Sequence, residues 1–413
     1  MASVERDVLP TDIVPSNYNL YLNNLQFGGD WSYHGRVKIT TDVKKATDRV
    51  VLNAKELKID RAIVYDSDHQ ANVLAVSKEV SYDEQKQQAS IVLSQTLQPG
   101  HATIEISFIG CMNNSMAGFY RAKYKPTGGT APDLYREGEY AYMFSTQFEA
   151  CDARRAFPCF DEPNLKCSFE FSIDIPEHLT ALSNMPEKNL GLGHFNGMKT
   201  VTFEKAPVMS TYLLAWAVGD FEYVEDFTRR KYNGKNLPVR VYTTRGLKEQ
   251  GRFALEHAHK TIDLFSDVFG IEYPLPKSDL LAVHEFAMGA MENWGLVTYR
   301  TTAVLFDEGK TDERYKERVA YVVAHELAHQ WFGNLVTMDW WNELWLNEGF
   351  ATWVGWYAVD KLHPDWQVWS KFVVRRMSRG MSRASTDIEH RLKGIKQRYN
   401  STRCGLLTRL KYL

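Results

Sequence analysis

The chain of 413 residues has room for two or three domains, each with its own core. Its 44% hydrophobic and 24% charged residues are the composition of a globular rather than a disordered protein. With 49 Lys plus Arg against 51 Asp plus Glu, no global field favours nucleic acid or an acidic membrane as a partner.

The N-terminus, Met1 to Asp7, has no apolar signal core, and the longest apolar run, around 212–218, is too short to span a bilayer. A cytoplasmic protein without integral membrane contact is therefore expected. Five cysteines, Cys111, Cys151, Cys159, Cys167 and Cys404, form no C-x-x-C pair and are odd in number. Reduced, mostly buried thiols are expected rather than a disulfide framework. Asn113-Asn114-Ser115 matches a glycosylation triplet, which arises often by chance and carries little weight.

Residues 8–223 read as an all-β domain, sandwich or saddle in type. The stretches 18–25, 35–43, 49–52, 89–93, 102–108 and 168–175 alternate or cluster β-branched and aromatic residues. Phe27-Gly28-Gly29-Asp30, Gln98-Pro99-Gly100 and Asn196-Gly197 supply turns between them, and 201–204 and 213–218 continue the pattern.

The character changes after Asp226. One more strand is predicted at 239–243, after Pro238. The segment 247–269 reads as helix, with Ala254, Ala258, Ile262 and Phe265 at three- and four-residue steps. A second helix is predicted over 312–332, with Thr311 as N-cap, Asp312 and Glu313 at its positive end and Gly333 as the C-terminal stop. A third is predicted over 344–362. It contains Gly349 and Gly355, each costing roughly 1 kcal/mol against Ala, which implies close packing on that face. Pro364 and Asp365 then open a helix with Trp366, Trp369 and Phe372 on one side. The tail 373–413 differs in kind, with eight arginines and three lysines against Asp387 and Glu389. Without aromatic interleaving or amphipathic periodicity it is not read as a nucleic-acid or membrane arm. The fold class expected is α+β and multidomain: β domain 8–223, then a mainly helical domain 224–372, then a basic tail.

His325-Glu326-Leu327-Ala328-His329 is H-E-x-x-H inside a predicted helix. Four residues apart on a helix, both imidazoles project to one side, one turn apart, where two nitrogens can share one zinc. Glu326 falls beside them, placed to take a proton from water rather than to bind metal. Catalytic zinc wants three protein ligands and an open position. Glu348, nineteen residues after His329 on the next helix, fits a helix-turn-helix return. The motif alone arises by chance in roughly one chain in a hundred of this size; its helical setting and Glu348 give it weight.

Gly289-Ala290-Met291-Glu292-Asn293, followed by Trp294-Gly295, is a Gly-bounded acidic segment in which Glu292, taken alone, reads as a turn residue. It stands about 30 residues before H-E-x-x-H. Together these motifs and Glu348 resemble the gluzincin zinc aminopeptidases, the alanyl and puromycin-sensitive type. The wording of 285–305 and 319–356 is most similar to the fungal cytosolic alanine/arginine aminopeptidases. Thr146-Gln147-Phe148-Glu149 and Asp152-Ala153-Arg154-Arg155-Ala156-Phe157-Pro158 resemble the family too. The likeness covers about 8–372.

The resemblance implies a thermolysin-like catalytic domain after the β domain and one zinc per chain on His325, His329 and Glu348. Glu326 would be the general base, and the substrates peptides with a free N-terminus. Glu149 and Glu292 would bind the substrate ammonium within a site that includes Gly289, Ala290, Met291 and Asn293, and Gln147 would line the pocket for the first side chain.

The likeness also stops short. The family has an oxyanion-donating Tyr about 60–65 residues after the zinc Glu. Tyr412 falls 64 residues after Glu348 but lacks the family's neighbours, so the spacing is read as coincidence, and Tyr399 has no better context. After Phe372 the pattern ends, and an out-of-frame tail is the favoured account over a genuine short form, leaving the catalytic domain incomplete at its C-terminus. The competing readings are a non-catalytic zinc- and peptide-binding relative and an endopeptidase.

Overall fold

The computed structural model describes residues 8–67, 72–128 and 136–372. The tail 373–413, with Tyr399, Cys404 and Tyr412, lies outside the described residues.

Three sheets carry the fold. The largest has eleven strands, and its middle is formed by Cys167–Pro176, Ile13–Asn23, Ser32–Val43 and Gly100–Cys111, side by side. Alternation builds it: Tyr18, Leu20 and Leu22 are buried, and the residues between them are turned outward. Ile13–Asn23 pairs parallel with Cys167–Pro176, Asn17 opposite Ser168, and antiparallel with Ser32–Val43.

A second sheet of five strands includes Tyr140–Gln147, Gly118–Tyr124 and Trp216–Gly219. Its Trp216 is fully buried, stacked on Phe171 of the first sheet with ring centroids 4.8 Å apart and meeting Phe119 and Phe148 edge-on. That aromatic layer between the sheets is where the first unit keeps much of its core.

The region that follows ends in helices, as expected, but carries more strands than the one predicted at 239–243: it opens with a five-stranded sheet, in the order Phe221–Tyr232, Lys235–Thr244, Ser278–Val283, Leu296–Arg300, Ala290–Met291. Lys235–Thr244 pairs parallel with Ser278–Val283, which pairs parallel with Leu296–Arg300. Every residue of Ser278–Val283 is buried. A strand covered on both faces shows no alternation, so its period gives no signal.

Helix α1, Arg252–Phe269, buries Ala254, Ala258, Ile262 and Phe265 and ends at Gly270 in the left-handed conformation. Helix α2, Arg314–His329, is shorter than the expected 312–332. Its N-cap is Glu313 rather than Thr311, because Thr311 is drawn into a turn with Asp307. Its C-cap is Gln330, and the chain coils on through further turns to Gly333 at φ +134°.

Helix α3 runs from Leu344 to Leu362, the predicted bounds. Its two glycines differ. Gly355 packs against α2, as expected, but nothing lies within 4 Å of where a Gly349 side chain would begin, so close packing does not explain that glycine. The outer side of α3 exposes Trp345, Leu346 and Trp353. Beyond α3, Pro364–Trp366 is a single 3-10 turn, and a short helical stretch follows to Phe372. Cys111 is an exposed free thiol and Cys151, Cys159 and Cys167 are buried ones. No helix among the described residues is long and apolar enough to cross a membrane.

Candidate active site

Helix α2 projects His325 and His329 from one side, and their Nε2 atoms stand 3.2 Å apart. Glu348, from the first turns of α3, brings its carboxylate oxygens to 3.4 Å from His325 Nε2 and 3.6 Å from His329 Nε2. All three side chains are buried. His329 Nδ1 lies 3.0 Å from Phe332 O, a group that only accepts, so Nδ1 carries a proton and, in the neutral ring, Nε2 keeps its lone pair. Gly333 permits that return of the chain: a side chain there would begin 3.3 Å from His329 Nδ1.

Two imidazoles and one carboxylate, converging within 4.8 Å, are the ligand set of a single catalytic zinc. The tautomer of His329 is the one that such a metal requires, fixed from behind by a backbone carbonyl. The residues present therefore fit zinc. Glu326, next to His325, is equally buried. The Tyr299 hydroxyl is held well above its ordinary pKa by burial and by the Glu326 charge.

The second group of residues meets the first. Glu149, Glu292 and Glu348 present carboxylate oxygens within 4.8 Å of one another, all buried. Glu149 follows the end of strand Tyr140–Gln147, whose last residue, Gln147, reaches Met291 Sδ with its Nε2 at 3.5 Å. Ala290 and Met291 form the edge strand of the third sheet, opposite Tyr299 and Thr298. Gly289 accepts the Arg300 N–H through its carbonyl. Asn293 Nδ2 donates to Thr298 Oγ1, on the strand Leu296–Arg300, at 3.1 Å.

Several residues that hold this arrangement were not found from the sequence. Gln330 Nε2 donates to Glu292 O at 3.0 Å and Asn334 Nδ2 donates to the same oxygen at 2.8 Å. Gln330 Oε1 accepts the Gly295 N–H at 3.2 Å. Lys277, buried, donates to Gly295 O and Ser183 O, both at 2.7 Å, and pairs with Asp279 at 2.7 Å. Asn184 Nδ2 donates to Trp294 O. For Gln330 and Asn334 a signal was present: two amides within Gln330-Trp331-Phe332-Gly333-Asn334-Leu335, an otherwise apolar run, are the mark of buried polar groups with partners.

Comparison with known proteins gives two family matches: Peptidase M1 N-terminal domain over residues 14–213 and Peptidase family M1 domain over residues 253–403. The second runs past residue 372, where the likeness read from the sequence stops. Aminopeptidase M1 of Arabidopsis thaliana is 45% identical over 371 residues, covering 88% of this chain and 39% of that protein. The alanine/arginine aminopeptidase of Saccharomyces cerevisiae is 44% identical over 396 residues, covering 94% and 43%. The puromycin-sensitive aminopeptidase of Caenorhabditis elegans is 42% identical over 380 residues, covering 92% and 38%. The fungal protein is no more similar than the plant one, so the chain is not singled out as of the fungal type. The chain spans about two fifths of the length of the curated relatives it matches. It carries both family segments in order, with the metal-ligand set in the second, and so belongs to peptidase family M1, the gluzincin aminopeptidases.

Proposed function

We propose that this chain hydrolyses the N-terminal peptide bond of peptides, using one zinc on His325, His329 and Glu348. The observation that carries the reading is the meeting of the two carboxylate-bearing sets at Glu348: Glu149 and Glu292 converge on the same residue that completes the metal set. Zinc, when bound there, supplies Lewis acidity, polarising the scissile carbonyl and acidifying water.

The rest is the work of side chains. Glu326 takes the proton of the attacking water and passes it to the leaving amine, a role typically worth roughly 10²–10⁴-fold. Glu149 and Glu292 bind the α-ammonium of the substrate by charge-assisted hydrogen bonds. They leave no room for a longer N-terminal extension, which makes the cut exopeptidic. Gln147 and Met291, in contact with each other, line the space for the first side chain. We further propose alanine and arginine as first residues to test, after the name of the Saccharomyces relative. A reducing, cytoplasmic setting is supported by the free thiols of Cys111, Cys151, Cys159 and Cys167.

The test is release of free amino acid from alanyl- and arginyl-amides by the purified chain, with zinc measured on the same sample. Turnover that a chelator removes and zinc restores supports the proposal. Zinc bound without turnover makes the chain a non-catalytic binder, and cleavage of an N-acetylated peptide makes it an endopeptidase.

A further inference from the structure

Gln330 and Asn334 take no part in the chemistry above, yet they join its two halves. Gln330 follows His329 directly and is fully buried. Its amide donates to Glu292 O at 3.0 Å and to Glu326 O at 3.3 Å, and accepts from Gly295 N at 3.2 Å. Asn334, also fully buried, donates to the same Glu292 O at 2.8 Å. A carbonyl oxygen has two lone pairs; that of Glu292 receives two donors from the segment just after α2. Lys277 and Asn184 hold the neighbouring residues Gly295 and Trp294, but tie them to Ser183 and Leu213 rather than to α2.

We infer that Gln330 and Asn334 are positioning residues that fix the separation between the ammonium-binding carboxylate and the metal ligands, and thereby the point at which the substrate is cut. The inference rests on the proposed aminopeptidase reading. An exopeptidase of this design measures one residue from a free amine to the reacting carbonyl. The ruler has its zero on Glu292 and its mark on His325 and His329. Those two motifs lie on different elements, one on a sheet edge and one on a helix, and the two amides are rigid struts between them. A displacement of about 1 Å at a reacting centre costs on the order of 10²-fold, so a strut of this kind acts on catalysis without touching substrate.

The experiment uses the full chain and the variants Gln330→Met and Asn334→Leu, which keep volume and remove the donors. Lys166→Met is the control: its ammonium donates to Asn334 O and Leu335 O in the same turn without touching residue 292. Three quantities are read: zinc content, the Kd of alaninol (an amine with no bond to cleave) by calorimetry, and KM against kcat on alanyl-amide. Both donor-less variants are expected to keep zinc while Kd and KM rise about tenfold or more. Their preference for free over N-acetylated substrate falls, and Lys166→Met does none of this. Unchanged alaninol affinity, or zinc and affinity lost together, overturns the inference. Where Gln330→Met does not fold, Asn334→Ala carries the same test. Wild-type chain that fails to bind alaninol sinks the amine-binding reading and this inference with it. Wild-type chain that binds alaninol without turnover sinks only the hydrolase reading, and the affinity comparison still decides this one.

Discussion

Gly355 on α3 lies directly against His325 on α2: a β-carbon at 355 would stand 3.1 Å from the His325 backbone nitrogen and 3.2 Å from its Cα. The atoms it would meet are helix backbone, which yields little. Gly355→Ala is therefore expected to destabilise by about 1–3 kcal/mol and to weaken zinc binding, by pushing α3, and Glu348 with it, away from the imidazoles. Gly349→Ala, on the same helix with open space around it, is expected to stabilise by about 1 kcal/mol. Urea unfolding of the zinc-loaded protein separates the two. Equal stability of the Gly355 variant and wild type would show that the helices are free to part.

Glu326→Gln keeps size and burial and removes the base. Turnover on alanyl-amide is expected to fall by at least about 10²-fold, with one zinc per chain retained. Loss of the metal in this variant would assign Glu326 a structural role instead.

Glu149→Gln and Glu292→Gln remove one charge each from the cluster at Glu348. A charge-assisted hydrogen bond contributes about 1.5–3 kcal/mol, so KM for alanyl-amide is expected to rise roughly 10–100-fold in each. Cleavage of an N-acetylated analogue should gain relative to that of the free amine. Unchanged KM in both variants would leave the ammonium-binding role without support.

Acid sensitivity should trace in part to His257. It is buried on α1 beside His363, with His257 Nδ1 and His363 Nε2 3.3 Å apart. Burial first, and the His363 charge second, push its pKa from the ordinary 6.5 down to about 3. Below pH 6.5 the unfolded chain binds a proton here that the folded chain refuses. Stability is then lost as pH falls from 6.5 towards 3, by up to about 1.4 kcal/mol per pH unit from this one group. His257→Phe keeps a ring among Phe253 and His363 and removes the titration. Unfolding free energies from pH 4.5 to 7 should show a shallower slope for the variant, and parallel slopes would assign the acid sensitivity elsewhere.

The metal set could be read from the sequence because it is local. His325, Glu326 and His329 lie on one helix, and Glu348 follows nineteen residues later on the next. The bounds of α3 were legible for the same reason. What was not legible is either buried on all sides or distant in sequence. Ser278–Val283 has no polar face to reveal its period. The meeting of Glu149 with Glu292 depends on a strand of the second sheet reaching the edge of the third, which no local pattern encodes. The resemblance supplied that pairing, whereas physical reading of the residues alone left Glu292 as a turn residue. The α2 caps were misplaced because Thr311 and Gly333 have the right chemistry but serve the neighbouring turns.

The parallel pairing of Ile13–Asn23 with Cys167–Pro176 has a consequence for how the chain is made. Asn17 waits for Ser168, roughly 150 residues later. At a synthesis rate of about 5–20 residues per second, one flank of an early strand stays open for roughly 10–30 s while Ser32–Val43 already covers the other. During that interval the nascent chain offers the unpaired N–H and C=O groups of residues 17–22 on an unfinished edge, and its safe completion depends on what shields that edge at the ribosome.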